Sequence, residues 1–170
     1  MRSSLVFLAL IGTCFLPAGL PLQSRQNSTE LYSRAATLAR GGDIDGAVSA
    51  FREVLEVNEY YALGHYGLGR ALLYKEEKLN EAIRHLRLSV TYDRRLARGH
   101  FYLGLAYMLA GKYENALHAF ANAYEYDREI LEALFNMAVI YDLMKVDYKA
   151  DRYFQWYVYE KRKQELDILF

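Results

Sequence analysis

From residue 28 to residue 163, apolar side chains return every three or four positions and polar ones fill the gaps. That spacing predicts α-helices over residues 28–40, 44–57, 60–74, 79–92, 95–110, 113–126, 129–144 and 147–163, each with one apolar stripe. Leu103, Tyr107 and Ala110 show the stripe in its plainest form. A longer rhythm is laid over it. An alanine is followed four positions later by a bulky residue four times: Ala47 and Phe51, Ala82 and Leu86, Ala116 and Phe120, Ala150 and Phe154. The alanines stand 35, 34 and 34 residues apart, and a small residue (Ala35, Gly69, Gly104, Ala138) precedes each by 12 or 13. A fixed period of this length marks stacked units that bury their apolar faces against one another. The expected fold is therefore all-α: a solenoid of four helix–turn–helix units, residues 28–61, 62–96, 97–130 and 131–158, with a C-terminal helix extension over 159–170. Gly41-Gly42 and Gly111 supply turns inside the first and third units, where a helix end often needs a left-handed residue. Glu76-Glu77-Lys78 stands in that place in the second unit and takes up its one extra residue.

Upstream of the repeats the pattern changes. Arg2 precedes an apolar stretch from Leu5 to Leu16, and no further charge occurs until Arg25. A charged start, a short apolar core and small residues at Ala18 and Gly19 make residues 1–22 a secretory signal peptide by pattern. Two variants remain open for the same segment. Ile11-Gly12-Thr13-Cys14 is similar to a lipoprotein box, with Cys14 as the residue lipidated, although Thr13 departs from the small residue that motif uses. The 18 uncharged residues from Leu5 to Leu22 also approach spanning length for an anchor. Residues 23–27 read as a polar linker. Asn27-Ser28-Thr29 fits a glycosylation sequon, but the favoured reading is a helix N-cap at Ser28 or Thr29.

With the elements placed, composition changes the picture in three ways. Proline occurs only at positions 17 and 21, so nothing after Leu22 forbids helix on that ground. The formal net charge is zero, which provides no global field for nucleic acid or an anionic membrane. A single cysteine excludes an internal disulfide and a cysteine-based zinc cluster. Tyrosine is frequent, at 16 residues, and its rigid amphipathic ring serves helix packing and contact surfaces alike.

The third unit reads Leu103-Gly104-Leu105-Ala106-Tyr107, then Gly111-Lys112-Tyr113, Ala116, Phe120 and Ala123. It closely resembles a tetratricopeptide repeat, and the resemblance extends over residues 28 to about 158. The fourth unit is looser, with Lys145 in place of the turn glycine. The usual proline between repeats is absent: Glu59, Arg94 and Arg128 stand there, behind Asn58, Asp93 and Asp127. The resemblance implies a right-handed superhelix whose concave face is lined by the first helix of each pair. Carried over position by position, the partner-binding lining is Tyr32 and Ala36, then Tyr66, Arg70 and Tyr74. Phe101, Leu105 and Met108 follow, and Phe135, Asn136, Val139 and Asp142 complete it. One register position is aromatic in every unit: Tyr32, Tyr66, Phe101 and Phe135. Such rings either line a groove for a peptide or partner helix or pack between adjacent helices. The lysines and asparagines with which chaperone-binding members hold a peptide's carboxylate are replaced here by Tyr32, Ala36 and Gly67. Asn136 matches a position that often hydrogen-bonds a bound peptide's backbone.

Candidate chemistry is otherwise thin. His65 and His100 share one repeat position, which accounts for their recurrence without a metal. Asp43-Ile44-Asp45-Gly46 begins like a calcium loop, but Arg52 stands where the closing glutamate belongs. No nucleophile motif and no acid–base pair is present, so neither a catalytic site, a cofactor nor a metal is expected. Arg84, Arg87, Arg94, Arg95 and Arg98 gather near the junction of the second and third units. Trp156, Tyr157 and Tyr159, and then Ile168-Leu169-Phe170, mark the C-terminal end as a cap or a contact surface. The reading that follows is a non-catalytic adaptor in the periplasm or cell envelope that holds a protein or peptide in an aromatic groove. Its partners include no nucleic acid, and membrane only through an N-terminal anchor. The alternatives are a structural subunit of an envelope or secretion/pilus assembly complex, homo-oligomeric through its C-terminal end, and an accessory subunit of a separate enzyme.

Overall fold

The computed structural model describes residues 22–167. The signal or anchor segment, with Cys14, and the terminal Ile168-Leu169-Phe170 lie outside them. The described residues form eight α-helices: α1 Leu22–Arg40, α2 Ile44–Val57, α3 Ala62–Leu72, α4 Leu79–Tyr92, α5 Ala97–Leu109, α6 Tyr113–Tyr126, α7 Glu132–Leu143 and α8 Asp147–Asp167. They pack as four antiparallel pairs, and each pair rests on the next through α2 and α3, α4 and α5, α6 and α7. This is the expected all-α solenoid.

The register alanines sit where two helices cross most closely. Ala47, Ala82 and Ala116 are completely buried, and beside them Phe51, Leu86 and Phe120 are 0–2% exposed. A bulky side chain four residues after the alanine lies one turn along the same face, so it covers the crossing and reaches the following pair. The fourth pair departs from this. Ala150 is only half-buried and Phe154 is 43% exposed, because among the described residues no further pair covers them.

Turns repeat as faithfully as the helices do. Between pairs, Asn58, Asp93 and Asp127 adopt the same extended conformation. Each side chain accepts the amide two residues on: Tyr60 to Asn58 at 3.1 Å, Arg95 to Asp93 at 3.0 Å, Glu129 to Asp127 at 2.9 Å. These Asx turns break the helix where related repeats use proline. Within pairs, Gly42, Gly111 and Lys145 all have positive φ, at 85°, 68° and 59°. The second pair instead inserts a short 3-10 helix, Glu76–Lys78, at the site of its extra residue.

Two boundary expectations change. Residues 23–27 are not a linker: α1 already begins at Leu22. Ser28 is consequently a helix-interior residue, 1% exposed, and neither it nor Thr29 is an N-cap. Asp43 does fill that role for α2, accepting the Gly46 amide at 2.9 Å. No described helix is long and apolar enough to cross a membrane.

Candidate functional site

On one face of the stack, α1 touches α3 as well as its own partner α2. Two adjoining depressions run along this face. One, of about 300 Å³, is lined from α1 and α3, including Tyr32, Ala36, Arg40, Tyr66 and Arg70. The next, of about 420 Å³, lies between α3, α5 and the α6–α7 turn. Tyr66, Arg70, Arg98, Phe101 and Tyr102 form one side of it, and Asp127, Glu129 and Glu132 the other. Tyr66 and Arg70 belong to both and form the ridge between them.

Arg70 is the distinctive group. Its guanidinium carbon lies 5.9 Å from the Tyr66 ring centre and 5.7 Å from that of Tyr102, within cation–π range of both. Among the described residues its side chain makes one hydrogen bond, a long one to the Tyr66 hydroxyl at 3.5 Å. Burial works against the charge, but the Tyr66 hydroxyl and the neighbouring phenols of Tyr102 and Tyr74 raise the guanidinium above its ordinary pKa. Among the described residues no carboxylate comes within ion-pair distance of it. The four ion pairs involve Arg34, Arg52, Lys75 and Lys78 instead. Burial is the main reason the Tyr32 and Tyr102 hydroxyls are pushed up as well. Arg70 and Arg98 both act in the opposite direction on each, which places the two cations around one tyrosine cluster.

The aromatic ladder divides between packing and lining. Tyr66 is 6% exposed, its ring 5.7 Å from Tyr102, so it is mainly a core residue that shows one edge to the groove. Tyr32 packs on Phe51 and Tyr61, and Phe101 on Phe120 and Tyr102, each with a half-exposed rim. Phe135, 42% exposed, leans on Tyr157 of α8. Leu105 and Met108 are half-buried against the cluster around Phe120, and Val139 is half-buried on α7. Tyr74 stands out at 72% exposure, and Asp142 is exposed. None of these five lines either depression. Asn136 donates to the Glu132 carbonyl of its own helix at 2.8 Å, which occupies one of its amide protons.

Arg98, Tyr102, Glu129 and Glu132 were not singled out from the sequence as groove residues. Arg98 could have been, since it precedes Phe101 by three positions and Leu105 by seven, one face of α5. The proposed arginine cluster also separates. Arg84 and Arg87 line a hollow on the outer helix α4, whereas Arg98 points to the groove. At Gly67, where chaperone-binding repeats carry a polar side chain, an added Cβ would collide with the Phe51 ring. That contact accounts for glycine at this position.

Residues 97–130, the third helix pair, match the family model of the tetratricopeptide repeat. No curated protein matches the chain by sequence. Among solved structures, a crystal structure of MamA is similar with a TM-score of 0.77 at 20% identity, over 82% of this chain and 81% of that one. PilF of Pseudomonas aeruginosa gives 0.73 at 20% identity, over 82% of this chain and 64% of that one. The first tetratricopeptide domain of RPAP3, solved bound to an HSP90 peptide, gives 0.66 at 18% identity, over 71% and 94%. The fold is thus a tetratricopeptide-type solenoid of about four repeats.

Proposed function

We propose that this protein is a non-catalytic binding module that holds a segment of another protein along the face formed by α1, α3, α5 and the α6–α7 turn. The observation that carries the reading is Arg70. A partly buried cation framed by tyrosine rings, with no carboxylate at ion-pair distance among the described residues, is open to an acceptor supplied by a partner. The two depressions beside it have the dimensions of side-chain pockets, and Phe101 and Tyr102 supply apolar edges for an anchor residue. The RPAP3 domain, of the same fold, was solved bound to an HSP90 peptide, which supports a peptide segment as the ligand. We also place the protein in the cell envelope, on the pattern of residues 1–22 alone; fractionation of the native host tests that part separately.

The groove reading is tested by a crosslinked pull-down from the native host with wild type and an Arg70→Ser/Phe101→Ser variant. Tyr66 is too buried to substitute without damaging the core. A partner captured by wild type and lost from a variant of unchanged helicity is the expected result. Identical partners with both proteins would remove the function from the groove.

A further inference from the structure

We infer that the exposed face of α8 is a self-association surface on which α8 of a second copy lies antiparallel. α8 is 21 residues long against 14 for α6, its counterpart in the third pair. Its stripe Ala150, Phe154 and Val158 occupies the register of Ala116, Phe120 and Tyr124, which α7 and its surroundings cover to 0%, 0% and 5% exposure. On α8 the same stripe is open, with Phe154 43% exposed and Ala150 and Val158 half-buried. Among the described residues, then, the inter-pair contact made by α6 has no counterpart on α8.

What identifies the occupant is the order of charges along that face. Asp147, Asp151, Phe154, Val158, Lys161 and Glu165 follow at alternating intervals of four and three, the seam of a helix that packs against another helix. Asp151 lies one turn before the apolar centre and Lys161 one turn after it. Both are exposed, and no charged residue of α8 belongs to any of the ion pairs among the described residues. The Lys161 ammonium lies 5.8 Å from the centre of the Tyr157 ring. A strip that reads acid, apolar, base is its own complement when a second copy runs in reverse. Asp151 then meets Lys161 of the other copy at both ends, and Phe154 meets Val158 in the middle. A parallel copy would set Asp151 on Asp151. The like-charged outermost pair, Asp147 and Glu165, falls at the open ends beside Arg162, where water screens it. The helix dipole accounts for Asp147 in the first turn, but its effect ends within the terminal turns, short of Asp151 and Lys161.

The test is analytical ultracentrifugation of the purified full chain carrying Cys14→Ser, at up to roughly 100 micromolar so that a micromolar dimer saturates. A reversible dimer is expected. Asp151→Lys and Lys161→Asp should each weaken it by about tenfold or more, since every dimer contains the altered pair twice. The Asp151→Lys/Lys161→Asp double variant should return to within about threefold of wild type, because the pairs are restored with their signs exchanged. Phe154→Asp should leave a monomer of unchanged helicity. A monomeric wild type at the highest concentration overturns the proposal and leaves the face to an unrelated partner. A dimer indifferent to all these substitutions overturns it too, and moves association to another part of the chain. Failure of the double variant to recover overturns the antiparallel pairing.

Discussion

At the scale of single residues, side chains that look functional in the sequence are largely explained by what they touch. His65 Nε2 lies 2.8 Å from the Glu59 carbonyl and His100 Nε2 2.9 Å from that of Arg94, so each imidazole donates back to the turn before its own helix. That shared task is why a histidine recurs at this position. His65 goes further, because its Nδ1 sits 2.9 Å from Nδ1 of His85 and the two rings stack at 5.1 Å. With its Nε2 donating to a carbonyl, a neutral His65 can only accept at Nδ1, so His85 donates there and turns a bare Nε2 toward Arg84, 3.4 Å away. Both rings must then be neutral. Burial lowers the His65 pKa, and burial, with the His65 and Arg84 charges next, lowers that of His85 to about 4. The folded value lies below the unfolded value of 6.5, so the stabilisation is complete above pH 6.5 and is lost as pH falls from there toward 4. Thermal denaturation should show a midpoint that declines through this window. A His85→Phe variant, which keeps a stacking ring and has no proton to gain, should decline less. Equal pH profiles for the two proteins would mean the pair does not hold the neutral state.

At the scale of elements, the turns decide how well each boundary could be read. The even-numbered helices α2, α4 and α6 start and stop where apolar periodicity puts them, because the alanine and bulky-residue register leaves no latitude. Helices α3, α5 and α7 begin two or three residues later than periodicity alone implies, at Ala62, Ala97 and Glu132. The Asx turns at Asn58, Asp93 and Asp127 consume those residues, and a stripe of apolar positions carries no record of such a turn. The start of α1 was missed for a related reason. Residues 23–27 are polar, but polarity does not oppose helix in the first turns of a chain free of proline after Pro21. The turn inside the fourth pair yields a prediction. Lys145 takes a φ of 59° in the place where Gly42 and Gly111 stand, and a side chain there crowds the backbone. Lys145→Gly should raise stability by about 0.5–1 kcal/mol, read from denaturant midpoints. A loss would mean that Lys145 makes a contact whose value exceeds the relief of its backbone.

At the scale of the whole molecule, the groove and the outer face of α8 stay open among the described residues once the pairs have stacked, and they were legible to different degrees. The periodicity gave the groove its helices and the family resemblance named Arg70, yet Arg98, read as part of an arginine cluster, and Glu132 were not assigned to the groove. A repeating aromatic draws the register, and each charge stands one turn earlier on the same face. Whether Tyr66 lines or packs depends on Tyr102 from the following pair, a relation between units that no single repeat encodes. The open end was foreshadowed by Trp156 and Tyr159, although the decisive residues are Phe154 and Val158, hidden inside the repeat pattern itself. A solenoid whose units touch only their neighbours has stability graded along its length, since interior pairs have two stacking contacts and end pairs one. Here α8 makes its main contact with α7 alone and runs on to Asp167 past the length of α6. The first pair, though terminal, is tied to the second by ion pairs of Arg52 with Glu81, at 3.0 Å, and Lys75 with Asp45. Amide hydrogen exchange on dilute protein should therefore be slowest in α3 to α6, intermediate in α2, and fastest in the last two turns of α8. A single exchange rate throughout would show that the eight helices unfold as one unit, and the open C-terminal face would then cost the fold no more than any other surface.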